Sequence, residues 1–198
     1  MYKLSIAACL VYITCTTQPL KQLHHDSEAL FAVKGLCTAR EKFDALQMEA
    51  FLSDSFSLVS TDKKKRLYNR QLAPRICAWE KQMNTHWSHE ILGVDSNVVT
   101  VLAKETSDYF TLLGLGAGIQ VNQYEVRNKK IEKSTAILFI TATSTQDKEY
   151  SRFYSWLLSQ PGIHVPDLIA ADGSLKFDGS SAQRMIYWLK QWNTGASR

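Results

Sequence analysis

The chain predicts an α+β fold, and three observations carry that expectation. Apolar residues recur at three- and four-residue steps as far as Met83. Strand-like runs separated by turn-forming pairs follow, and helical periodicity then returns after Asp147. Helices grouped ahead of a run of strands, rather than alternating with them, imply a largely antiparallel sheet.

The first helical pattern runs from Ser27 to Ser53. Leu30, Val33 and Cys37 form one apolar stripe, and Leu36, Phe43, Leu46 and Ala50 form another. FSLVS (56–60) reads as a short strand. A second helix is expected to begin at Asp62, an N-cap residue type, with Tyr68, Leu72, Ile76, Trp79 and Met83 along one face. Pro74 lies inside that pattern and is expected to kink or split it.

After Met83 the period changes. THWSHEILGV and NVVTVLAKET flank Asp95-Ser96 as a tight turn, and IQVNQYEVR meets KKIEKSTAILFITAT across Asn128-Lys129. VVTVLA is apolar at successive positions, which predicts cover on both faces of that strand. DKEYSRFYSWLLSQ is a helix stopped by Pro161-Gly162. SSAQRMIYWLKQW is another, with Ser180 and Gln183 at capping-box spacing and Met185, Trp188, Leu189 and Trp192 turned inward.

At 198 residues the chain is long enough for a substantial core, and its 45% hydrophobic and 21% charged composition is that of a globular protein. A net charge of +4, with the basic residues scattered, gives no nucleic-acid footprint. The run Lys63-Lys64-Lys65-Arg66 is expected to decorate a solvated helix start. The N-terminus differs in kind. MYKLSIAACLVYITC places one lysine before an apolar run from Leu4 to Ile13, the length of a signal-peptide core and too short to span a bilayer. Cys15 ends that run, and TTQPLKQ follows as a polar tether.

This start resembles a bacterial lipoprotein signal, although Tyr12 and Thr14 depart from its usual small and aliphatic residues. The resemblance implies a signal over residues 1–15 with lipidation at Cys15, and a tether over residues 16–26. It also implies export to a periplasmic or membrane-anchored location, the lipid being the sole tie to a membrane. The alternative is a frayed apolar helix in a protein that is not exported. Cys37 and Cys77 fall in helical patterns outside any metal-binding spacing and are expected to be buried thiols; in an exported protein they could pair as one disulfide.

The order of elements, with ETSDYFTLLGLGAGIQVNQYEVRNKKIEKS at its centre, resembles the nuclear transport factor 2-like superfamily in its SnoaL-like branch. A helix before FLSDSFSLVS, a strand ending in EILGV, and the hairpin YEVRNKKI carry the likeness over about Arg40 to Thr143, with Asn128-Lys129 in place of the branch's Asp-Gly. It implies a cone: a curved antiparallel sheet wrapped around N-terminal helices over residues 27–145, a pocket inside, and a C-terminal helical extension over residues 146–198. Pairing through the outer face of the sheet is common in the superfamily, so a homodimer is expected, unless Trp156, Trp188 and Trp192 of the tail cover that face. Activity does not follow from the fold. The Asp-Pro of the ketosteroid isomerase pattern is replaced here by Ser60-Thr61-Asp62.

NTHWSHE (84–90) concentrates the chemistry. Alternation along a strand puts His86, Ser88 and Glu90 on one face and Trp87 and His89 on the other, so the two histidines cannot share a metal ion. No metal and no cofactor is expected. With Asp95-Ser96 as a two-residue turn, His86 falls opposite Glu105 with Cβ atoms roughly 5 Å apart. A carboxylate beside an imidazole suits general acid–base work near neutral pH; the alternative is a polar pair on the wet outer face. Trp87, His89 and Tyr124 are the candidate pocket lining, with packing as the competing explanation. Gly114, Gly116 and Gly118 precede a strand pattern, which excludes a dinucleotide loop. The expected function is a binding or interaction module holding a small apolar molecule, the alternative being a cofactor-independent isomerase or lyase acting on a carbonyl compound through His86 and Glu105.

Overall fold

The computed structural model describes residues 20–59, 66–139, 144–170 and 175–195. The signal expected over residues 1–15, Cys15, the N-cap expected at Asp62 and the basic residues 63–65 lie outside them.

The fold is α+β. Helices α1 (Leu20–Glu41), α2 (Ala45–Phe51) and α3 (Ala73–Gln82) pack inside a curved sheet of β1 (Leu52–Val59), β2 (Arg66–Asn69), β3 (His86–Asp95), β4 (Val98–Thr106), β5 (Gly118–Arg127) and β6 (Lys130–Phe139). A short α4 (Asp108–Leu112) joins β4 to β5, and α5 (Ser144–Ser159) and α6 (Gly179–Gly195) form the tail. The spatial order is β2-β1-β6-β5-β4-β3, and the sheet is mixed because β1 runs parallel to β6 while the remaining neighbours are antiparallel.

The single long helix expected over residues 27–53 is two helices. α1 buries Ala29, Ala32, Val33, Leu36 and Cys37, one side of a 3.6-residue period. It stops where Phe43 adopts a left-handed backbone (φ 53), and Asp44 restarts the chain by accepting from the Gln47 amide at 3.0 Å. The second expected helix is also shorter. Residues 66–69 are strand, residues 70–72 a single 3-10 turn, and α3 begins at Ala73 with Pro74 in its first turn. Proline there removes no helical hydrogen bond, so the expected kink is absent.

The hairpin at Asn128-Lys129 forms as its sequence predicts, both residues having positive φ (51 and 60) as a type I′ turn demands. Val99, Val101 and Ala103 of β4, with Val126 and Ile131, line the inner face at 5% exposure or less. The outer face of the sheet is not fully covered: Ile137 and Leu138 of β6 are 38% and 53% exposed. The tail packs elsewhere. Its Phe153, Leu157, Met185 and Leu189 form a second core with Trp79 and Met83 of α3 and Leu113 after α4, and Trp156, Trp188 and Trp192 border that core. The capping box expected at Ser180 and Gln183 is replaced by one two residues earlier. Asp178 accepts from the Ser181 amide at 2.9 Å, and its own amide donates to Ser181 Oγ at 3.2 Å.

Candidate functional site

The cone holds a cavity of about 60 Å³ that opens to solvent. Leu36, Met48, Phe56, Leu58 and Ile76 make most of its wall apolar, and Arg40, Asn69, His89, Tyr124 and Ser134 supply polar atoms. α1 presents Arg40 because that position continues the buried stripe of Val33, Leu36 and Cys37. The sheet presents the rest: Val99, Tyr124 and Ser134 are successive partners across β4, β5 and β6.

The pairing of β3 with β4 decides which residues face inward, and it corrects one expectation. The turn residues are Ser96 and Asn97, so Asp95 pairs with Val98, and the register shifts once more between Ile91 and Gly93. His86 is thereby opposite Thr106 and exposed, while Trp87 is opposite Glu105. The His86–Glu105 acid–base pair is not formed. The turn, placed one residue later, moves the pairing by two residues and keeps the faces matched; the single-residue bulge between Ile91 and Gly93 is the step that exchanges them. Of the candidate pocket lining, His89 and Tyr124 stand in the cavity wall. Trp87 sits beside it, stacked on His89 with ring centroids 5.8 Å apart.

Arg40 organises the polar side. Its Nε and Nη2 both donate to Glu80 Oε1, at 3.0 and 2.5 Å, and its guanidinium lies 3.8 Å from the centroid of the Trp87 ring. Burial works against the charge on Arg40, and the Glu80 carboxylate more than restores it. His89 Nδ1 meets Glu41 Oε1 at 2.7 Å, yet burial lowers the imidazole pKa despite that contact. Burial pushes the Tyr124 phenol up to about 12, so it is a neutral donor at physiological pH. It also pushes the Glu105 carboxyl up to about 7, with Arg40 pulling the other way and Glu80 adding to the rise.

Several buried polar atoms in this region make no hydrogen bond among the described residues: Asn69 Oδ1 in the wall, and Glu80 Oε2, Thr85 Oγ1 and Trp87 Nε1 around Arg40, whereas Ser134 lies within hydrogen-bonding reach of Tyr124. Buried polar atoms are normally paired, and these four lie in or beside the cavity wall. Arg40, Glu80, Asn69 and Ser134 were not evident as site residues from the sequence. The signal for the first two is a charged residue on an apolar helical stripe; Asn69 and Ser134 carry none. Cys37 and Cys77 are free and buried, and the Cys77 thiol contacts Met48 Sδ at 3.2 Å. Among the described residues no cluster of His, Cys, Asp and Glu has a metal-binding arrangement, and no helix is long and apolar enough to cross a membrane.

The α+β cone around an apolar, polar-tipped cavity is similar in fold to a solved protein of cystatin-like fold from Methylobium petroleophilum PM1, at 10% identity and a TM-score of 0.50 over 60% of this chain and 80% of that one. An NTF2-like protein from Cytophaga hutchinsonii is 10% identical, with a TM-score of 0.43 over 56% of this chain and 88% of its own. An LEH-like epoxide hydrolase from M. tuberculosis is 16% identical, with a TM-score of 0.46 over 67% of this chain and 96% of its own. No family sequence model and no curated protein matches the chain. The likeness is one of fold.

Proposed function

We propose that this chain is a binding module whose cone cavity holds a small, mostly apolar molecule. One observation carries the reading: the apolar wall buries Asn69 Oδ1 without a hydrogen-bond partner. Leaving such an atom unpaired costs about 1–3 kcal/mol, a cost that a ligand with a matching polar atom removes. An apolar pocket with a few fixed polar tips is the usual form of a small-molecule site. Native mass spectrometry of gently purified protein tests the reading. A mass increment that disappears on denaturation supports it; bare protein that also gives no heat of binding with octanol or octanoate rejects it.

A second reading, a cofactor-independent isomerase or lyase, rests on Glu105, a buried carboxyl that titrates near neutrality behind Arg40. It ranks second because Glu105 is not in the cavity wall and His86 is outside it. Export with lipidation at Cys15 belongs to the same proposal.

A further inference from the structure

We propose that the molecule held in the cavity carries a carboxylate head, docked on the unused edge of the Arg40 guanidinium, with an unbranched apolar tail along Leu36, Phe56, Leu58 and Ile76. The inference rests on the cavity being a ligand site and names the chemistry of its ligand.

A guanidinium has five N–H donors in a fixed plane. Arg40 spends two of them, both on the single oxygen Glu80 Oε1. The Nε–Nη2 edge is therefore occupied, and the Nη1–Nη2 edge has no partner among the described residues. Arg40 stands in the cavity wall, and its side chain keeps 22% of its surface accessible. Trp87 stacked at 3.8 Å fixes the plane. A half-used guanidinium fork fits a second carboxylate end-on, across Nη1 and Nη2, where a hydroxyl or a single carbonyl would engage only one donor. Tyr124 of β5, a neutral phenol beside Ser134, is a further polar tip in the same wall.

The charge balance couples this docking to a proton. Arg40 and Glu80 cancel; His89 on β3, whose imidazole pKa is lowered, is held by the Glu41 carboxylate of α1, and Tyr109 on α4, which senses Glu105, has its phenol pKa raised. Neither supplies a positive charge at neutral pH. The strand neighbours of Glu105, Trp87 and Gly118, bring no charge either. A carboxylate arriving at Arg40 thus meets either a neutral Glu105 or an ionised one that repels it. Since Glu105 titrates at about 7, the ligand should bind better below that pH and take up a proton as it binds above it.

Calorimetric titration of the intact chain with octanoate, octanol and octylamine at pH 6 and pH 8 tests both parts. Octanoate should bind about tenfold more tightly than octanol at pH 6, and lose affinity at pH 8. Glu105→Gln should bind octanoate equally at the two pH values, and the paired change R40Q/E80Q, which removes both charges, should lose the preference for octanoate over octanol. Octanol or octylamine binding as tightly as octanoate overturns the carboxylate assignment and leaves the cavity reading standing. No binding of any of the three overturns the cavity reading itself. An unchanged pH dependence in Glu105→Gln overturns the proton coupling alone.

Discussion

The guanidinium of Arg40 lies 3.8 Å from the centre of the Trp87 ring, on the inward face of a strand whose next residue outward, His86, is exposed. Two sequence neighbours therefore have opposite fates. Trp87→Ala should cost roughly 3 kcal/mol, because it removes a large ring, opens a cavity and unseats the cation above it. His86→Ala should cost no more than about 1 kcal/mol. Urea melts of the two variants check this, and equal losses would contradict the facing.

Glu80→Ala leaves the Arg40 charge without its buried partner, and should destabilise the chain by about 3 kcal/mol or more. Replacing both members, as in R40M/E80L, should recover most of that loss, since an apolar pair of similar volume fits the same space. A double variant no more stable than Glu80→Ala would mean that the ion pair is not the main term.

The Glu105 carboxyl pKa is raised by burial to about 7, so the folded chain holds a proton there that the unfolded chain releases near the ordinary carboxylate value. Stability from this group is intact below about pH 4, is lost as the pH rises from the ordinary carboxylate value to about 7, and changes little above that. Glu105→Gln should match the parent at about pH 4 and exceed it by about 2–3 kcal/mol at pH 8. Thermal melts at the two pH values measure the difference; a variant less stable at pH 8 would mean that Glu105 is ionised and paired.

Asp178 caps α6 through the Ser181 amide at 2.9 Å and the Ser180 hydroxyl at 2.9 Å. Burial pushes its pKa upward, but those hydrogen bonds prevail and hold it at about 2. The cap contributes above the ordinary carboxylate range and is lost as the pH falls through about 2. Asp178→Ala should cost about 1 kcal/mol at neutral pH, and Ser180→Ala less than half of that. Denaturant midpoints of the two variants give the ranking, and the reverse order would restore Ser180 as the cap.

Export through residues 1–15 makes a prediction for the N-terminus. Intact-mass analysis from an exporting host should find a mature chain beginning at Cys15 with an acylated terminus. A cytosolic chain that still begins at Met1 would reject it.

The hairpin at Asn128-Lys129, the inward face of α1 and both tail helices were legible because each follows from a short-range rule: a turn pair or a helical stripe. The break at Phe43 was not, since a left-handed phenylalanine has no local signature and Asp44 becomes a cap only once the chain has turned. The β3–β4 register was misjudged through a bulge set by tertiary packing. Pattern reading failed most at the site. Arg40 and Glu80 violate the apolar stripes that identify their helices, and only the three-dimensional structure shows that they answer one another.

The irregularity between Ile91 and Gly93 has a consequence for chain length. Ile91 pairs with Val101 and Gly93 with Thr100, so Leu92, which is 51% exposed, is the residue with no counterpart on β4. Deleting it would rejoin two stretches that already alternate in step, and Trp87 and His89 would keep their inward aim. Deleting any one of residues 87–91 instead would put the two sides of the gap out of phase and turn part of the wall toward solvent. Leu92 is the place within β3 where the chain can lose a residue and keep its interior.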